Sequence, residues 1–221
     1  MHTLRTVLLS FFLSVLFVCP AASAEVSFGA HAGAVGGLGA DLYLEVAEFA
    51  EGLPLDLRVG LEFQGRDAGD PMAARRIFIN NNTNGTPESS ARAWGGRLDL
   101  LWPVDLLSNV TAFAGPRWIS FSSSFDYIGG NENFDVVSQH WGWGLGLEGR
   151  FPMSAATSFV LGGGFDWYLG AELDGHDTIY SPDLDPVNGR EDYTYDDADE
   201  AIHQPGFEWR LQLGLQRVFG R

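Results

Sequence analysis

From residue 26 onward, apolar and polar positions alternate with a period of two, in runs separated by glycine, proline and asparagine. The last run is the clearest. Within residues 206–219, Phe207, Trp209, Leu211, Leu213, Leu215 and Phe219 share one face, and Glu208, Arg210, Gln212, Gly214 and Gln216 share the other. Seven earlier segments follow the same rule. In residues 26–34, Val26, Phe28, Ala30 and Ala32 oppose Ser27, Gly29, His31 and Gly33, and Gly36-Gly37 then makes a tight reversal. Residues 38–48 set Leu38, Ala40, Leu42, Leu44 and Val46 against Asp41, Tyr43 and Glu45. Residues 55–64 set Leu55, Leu57, Val59, Leu61 and Phe63 against Asp56, Arg58, Gly60, Glu62 and Gln64.

A polar loop is expected over residues 66–91, before a fourth segment that places Trp94, Gly96, Leu98, Leu100 and Trp102 opposite Gly95, Arg97 and Asp99. The fifth, residues 110–121, is the least regular. Pro116 cannot donate to a ladder, which predicts a bulge or local break there. After a loop through Gly129-Gly130-Asn131, the sixth turns Val137, Trp141, Trp143, Leu145, Leu147 and Phe151 one way. His140, Gly142, Gly144, Gly146, Glu148 and Arg150 face the other. The seventh, residues 157–169, opposes Phe159, Leu161, Phe165, Trp167 and Leu169 to Gly162, Gly164, Asp166 and Tyr168.

Two architectures share this alternation: a transmembrane β-barrel, with lipid on the apolar face, and a soluble secreted β-sandwich, with a protein core there. The polar face favours the barrel. Glycine weakens a water-exposed strand, whereas a narrow barrel must fit side chains into its interior and needs small residues beside paired charges. Gly142, Gly144, Gly146, Gly162 and Gly164 accompany a charge set of Arg58, Glu62, Arg97, Asp99, Arg117, Glu148, Arg150, Asp166, Glu208 and Arg210. Each segment reaches or nearly reaches the roughly 9 to 11 residues a tilted strand needs to cross hydrocarbon. The expected fold is therefore all-β, an eight-stranded antiparallel up-and-down transmembrane barrel. Loops are expected short after the second, fourth and sixth segments and long after the third, fifth and seventh, with the Gly36-Gly37 turn as the exception. An even strand number puts both termini on one side, expected to be the periplasm.

Residues 1–24 read as a cleaved secretory signal: Arg5, an apolar stretch over residues 7–18, and Ala22-Ser23-Ala24 before the cut, leaving residues 25–221 as one barrel domain. The apolar stretch is shorter than the roughly 20 residues of a membrane helix. Acylation at Cys19 is disfavoured by Val18 before it and Pro20 after it. Cys19 is the only cysteine, so the exported chain has neither a disulfide framework nor a thiol site. A net charge of -16 argues against nucleic-acid binding.

This pattern, the loop asymmetry and a final strand carrying Leu211, Leu213, Leu215 and Phe219 resemble the small eight-stranded outer-membrane barrels of bacteria, the group containing the OmpA transmembrane domain, OmpX and the opacity proteins. Here Arg217 interrupts the apolar face, and Gly220 and Arg221 follow the terminal aromatic. The resemblance implies insertion by the barrel-assembly machinery and contact with outer-membrane lipid and lipopolysaccharide. It implies no cofactor. A monomer with a plugged, salt-bridged interior and acidic surface loops is expected, in a structural or surface-interaction role, with a narrow solute pore and lipid A modification as alternatives.

Three local patterns point to other chemistry. Residues 144–149 match GxGxxG, but Phe151-Pro152 follows instead of a helix. Ser138 and His140 lie two apart on one face, the spacing of a nucleophile and its base, without an acidic residue nearby in sequence to orient the histidine. The last loop is dense in carboxylates, among them Asp183, Asp185, Asp196, Asp197 and Asp199, which could hold a divalent cation through oxygen ligands or simply repel one another in solvent. No catalytic residue is assigned.

Overall fold

The computed structural model describes residues 25–50, 52–78, 83–130, 132–177 and 195–219. The proposed signal segment, residues 1–24, lies outside them, as do Asp183 and Asp185. The strands are β1 (Val26–Val35), β2 (Leu38–Val46), β3 (Asp56–Arg66), β4 (Thr86–Pro103), β5 (Val110–Ile128), β6 (Asn133–Pro152), β7 (Thr157–Tyr168), β8 (Asp174–Asp177) and β9 (Phe207–Phe219). A helix, α1 (Pro71–Phe78), precedes β4, and a 3₁₀ helix (Tyr195–Ala201) precedes β9. Each barrel strand pairs antiparallel with its neighbour, β9 pairs with both β7 and β1, and β5 pairs with β6. The ring therefore closes on eight strands, and short β8 joins it only along residues 134–137 of β6. Closure leaves no edge to present unpaired backbone groups to lipid.

Burial is inverted relative to a soluble protein. The buried positions include Arg58, Arg97, Arg117, Asp99, Asp166 and Arg210, whereas Leu213 is 56%, Trp143 64% and Trp209 72% exposed. The apolar faces do not pack on one another, which removes the sandwich. Tryptophans and other aromatics gather near both ends of this outward face: Trp94, Trp118, Trp141, Trp167 and Trp209 at one end, and Trp102, Phe151, Phe159 and Phe219 at the end that carries the chain termini. That is the girdle arrangement of membrane barrels. Arg217 lies in the lower girdle with its guanidinium 5.8 Å from the Phe219 ring.

The far end departs from the sequence reading. Residues 66–91, expected as loop, hold α1 and the first part of β4, and β5 and β6 continue as one tall hairpin paired as far as Asp126↔Asn133. The phase never changes, but its polarity does. Inward positions of β5 pass from Arg117 to Ile119, Phe121, Phe125 and Tyr127, while outward positions pass from Trp118 to Ser120, Ser122, Ser124 and Asp126. Above the girdle the outside is water and the inside is a protein core. A search for apolar-out alternation loses the strand at that level.

That core joins Phe121, Phe125, Tyr127, Phe134 and Val136 to Ala74, Leu173, Ala198, Ala201 and Ile202, with Met72, Ala73 and Ile77 packed against it. Asp70 caps α1 by accepting from the Met72 and Ala73 amides at 2.9 and 3.0 Å. Hydrogen bonds from Asp70 N to the Ala201 carbonyl (2.9 Å) and from His203 N to the Ala68 carbonyl (3.3 Å) join the two helical segments. At Pro116 the β4–β5 ladder is interrupted between Arg97↔Arg117 and Leu100↔Ala114 without a change of register. Pairing with β6 continues through Pro116↔Trp143. The proline makes a gap rather than a bulge, since an inserted residue would have shifted the register.

Replacing Leu213, midway along the apolar face of β9, with arginine should cost about 2–4 kcal/mol, and the same change at Val26, by the terminal girdle, about 0–1 kcal/mol. Equilibrium unfolding in lipid vesicles measures both, and equal costs would contradict this placement of the hydrocarbon.

Candidate functional site

Alternation aims the polar residues of all eight barrel strands into one narrow lumen, where burial makes an unpaired charge costly. Near the terminal end, Arg58 of β3 reaches across the lumen to Glu148 of β6 with Nη1 and Nη2, each at 2.6 Å. It also donates to Glu45 of β2, from Nη2 at 2.7 Å and Nε at 3.1 Å. Arg150 bonds the same two carboxylates at 2.7 to 2.9 Å and is 22% exposed, consistent with a place near the open end. Gln216 ties Glu45 to Ser27.

The next layer is a chain of alternating charge. Arg210 of β9 meets Glu62 of β3 at 2.9 Å and also Asp166 of β7. Asp166 then meets Arg117 at 3.0 Å, Arg117 meets Asp99 at 2.7 Å, and Asp99 lies 3.5 Å from Arg97. Arg97 in turn reaches Asp41 at 3.3 Å, and Asp41 also accepts from Gln212 at 2.6 Å and contacts His31 Nδ1 at 3.2 Å. Tyr43 links the layers, with the Arg58 guanidinium 4.2 Å from its ring centroid, that of Arg97 at 5.8 Å, and the His31 ring stacked on it at 4.7 Å. Glu208 pairs with Arg66, above Arg210.

All ten charged residues singled out from the sequence thus face inward, but they form incomplete pairs without Asp41, Glu45, His31, Tyr43 and Arg66. Four of them occupied polar phases in the sequence, and Arg66 fell at the start of the expected loop. Their partners lie on strands distant in sequence, so alternation could place them inside without showing whom they meet. The interior glycines have different uses. A Cβ on Gly144 would collide with the Asp166 carboxylate and the Arg117 guanidinium, while one on Gly142 or Gly164 would strike a neighbouring strand's backbone. One glycine therefore makes room for charge directly, and the other two allow close strand approach.

Above this network lie Ala93, Ile119 and Tyr168, then the apolar cap. Ser138 and His140 sit there, 4% and 1% exposed, with Ser138 Oγ 2.7 Å from His140 Nε2 and His140 Nδ1 2.9 Å from the Leu169 carbonyl. That carbonyl only accepts, so Nδ1 carries the proton and, in the neutral ring, Nε2 accepts from the serine. A backbone carbonyl holds the ring where a catalytic triad has a carboxylate. The GxGxxG residues lie within β6, with no turn or helix to cradle a phosphate. Of the candidate cation ligands, Asp196 accepts from Leu173 N at 2.9 Å and Asp199 accepts from Gln204. Asp197 is in the same 3₁₀ helix. Among the described residues no group of acidic, histidine or cysteine side chains is arranged to hold a metal ion.

An antiparallel ring of eight strands with membrane-type side chains outside and paired charge within has the fold of the small outer-membrane β-barrels. Comparison of folds agrees: a major outer membrane protein from Thermus thermophilus superposes with a TM-score of 0.70 and 24% identity, over 89% of this chain and 100% of that one. The neisserial surface protein A (TM-score 0.42, 11% identity) and the attachment invasion locus protein Ail of Yersinia pestis (TM-score 0.46, 12% identity) each align over 89% of this chain and 97% of theirs. No protein-family model and no curated protein matches the chain.

Replacing Arg58 with alanine leaves Glu45 and Glu148, among the described residues, with Arg150 as their one remaining arginine partner and should destabilise the folded barrel by up to about 3–5 kcal/mol, whereas the double change Arg58→Met with Glu148→Leu should recover much of that loss. Unfolding of refolded protein measures both, and additive losses would show that the pair does not act as a unit.

Proposed function

We propose that this chain is a non-conducting, non-enzymatic barrel of the bacterial outer membrane with a structural or surface-interaction role. In this reading the termini lie in the periplasm and the capped end faces outward. The barrel stands as a monomer among outer-membrane lipid and lipopolysaccharide, placed there by the barrel-assembly machinery. The observation that supports it is a set of buried ion pairs reaching across the lumen. Arg58–Glu148 and Arg210–Glu62 join strands that are not neighbours in the sheet, and apolar side chains lie above them at the far end. An eight-stranded barrel has an interior only wide enough for side chains.

The same geometry weighs against the alternatives. A pore would have to break cross-lumen ion pairs whose side chains are 2% exposed or less. Lipid A modification would have to use a serine and histidine beneath the cap, on the inward face and away from lipid. An apolar, girdled body whose sequence carries a strongly acidic stretch before its last strand suits display at a membrane surface.

Wild-type protein reconstituted in planar bilayers should give no discrete current steps, and lipopolysaccharide incubated with it should return lipid A of unchanged mass. Steady steps whose size changes in Arg58→Glu or Arg210→Glu would replace this reading with the pore. A lipid A mass change lost in Ser138→Ala would replace it with the enzyme.

A further inference from the structure

The far rim is uneven. β1 and β2 turn early, through Gly36, while β9 continues to Trp167↔Phe207 beyond its last β1 pair, Val35↔Arg210, and β3 continues to Arg66↔Ala91 beyond its last β2 pair, Leu38↔Gly65. A notch is left between β9 and β3. Its floor is the Gly36 turn with the Arg66–Glu208 ion pair over it. Gly36 has φ of +59°, and a Cβ there would collide with both ion-pair partners, so glycine is required twice over. The result is a cleft of about 840 Å³.

The two walls of the cleft differ in chemistry. Leu38, Phe207 and Trp209, exposed by 80, 67 and 72%, belong to the outward membrane face. The polar lining is Asp67, His203, Asp199 and Gln204, with His203 Nδ1 3.2 Å from the Asp67 carboxylate. One buried donor there, Arg66 Nε on a side chain 6% exposed, has no hydrogen-bond partner among the described residues, and Gln204 Oε1 lies towards the His140 ring. Arg66 spends its other nitrogens on Glu208 and Gln64, leaving the Nε–H donor over. The Gly69 amide, at 3.0 Å, and neighbouring His203 hold the Asp67 carboxyl below the usual carboxylate range, so it is charged at neutral pH. With Arg66 neutralised by Glu208, the remaining fixed charge of the polar wall is negative.

We propose that this notch is a lateral binding site for a cationic amphiphile: an ammonium headgroup bearing a neutral oxygen enters from the membrane between β9 and β3, and its alkyl chain stays on the outward face over Trp209, Phe207 and Leu38. The ammonium approaches Asp67 and Asp199, and the headgroup oxygen accepts from Arg66 Nε. An anionic headgroup would meet those carboxylates without a free cation to offset them. A fully polar ligand would leave the aromatic wall unused.

The test uses the full barrel in neutral alkyl maltoside micelles, titrated with a C12 alkylammonium carrying a hydroxyl and a nitroxide, and separately with a nitroxide-labelled C12 alkyl sulfate. Backbone amide resonances report proximity. The ammonium probe should broaden Gly36, Gln204 and Gly206 saturably, and the sulfate probe should not. In the Asp67→Asn, Asp199→Asn double variant, half-saturation should move to at least fivefold higher probe concentration, with heat-dependent gel mobility unchanged to show that the barrel is intact. Broadening that rises linearly with probe and is equal for both charges would mean ordinary micelle partitioning. That result, tighter binding of the sulfate, or unchanged saturation in the variant would overturn the site.

Discussion

A backbone inside hydrocarbon must satisfy its hydrogen bonds within the protein, and the rest of this molecule follows from that constraint. With strands, the solution is a closed ring, and a ring of eight has an interior as narrow as a few side chains. Alternation then leaves no choice about which residues fill it. The positions opposite the lipid-facing leucines and tryptophans are turned inward, so the polar residues that keep the outside apolar become the core.

A polar core of this kind is held by mutual compensation. Moving a guanidinium or carboxylate out of water carries a large desolvation penalty, and only short, multiply bonded contacts offset it. Arg58, shared between Glu45 and Glu148, and Asp166, shared between Arg117 and Arg210, show how that is met: each charge contacts more than one partner. The consequence is mechanical as well as energetic. Backbone ladders fasten each strand only to its neighbours, whereas these contacts cross the lumen and brace opposite walls, β3 against β6 and β9 against β3.

Where the lipid stops, the logic reverses within single strands. β5 and β6 keep their phase but exchange apolar for polar outside, and the inward aromatics make an ordinary protein core with α1 and the 3₁₀ helix. That cap stands on the tall side of the barrel. The low side, above the Gly36 turn, has Arg66 and Glu208 in place of a wall, and this unevenness brings polar groups and membrane-facing aromatics together at one rim.

How much of this was legible in the chain follows from the range of the forces involved. Which face of each strand meets lipid is local, because side chains alternate whatever the strand's neighbours are. Val26, Trp143, Leu161 and Leu213 could therefore be placed outside, and Arg58, Asp99, Glu148 and Arg210 inside, from periodicity alone. The upper parts of β4, β5 and β6 were missed because their solvent changes from lipid to water, and periodicity carries no information about that boundary. Pairing was not legible at all. Arg58 and Glu148 are far apart in sequence and meet only because the ring closes and sets their heights in the lumen, and the same closure brings Asp41 to Arg97 and Gln212. The sequence by itself determined a membrane-spanning ring of strands with its charges turned inward. Tertiary structure alone decided which charges neutralise one another and where the rim is open, because both depend on closure and register, which no single segment contains.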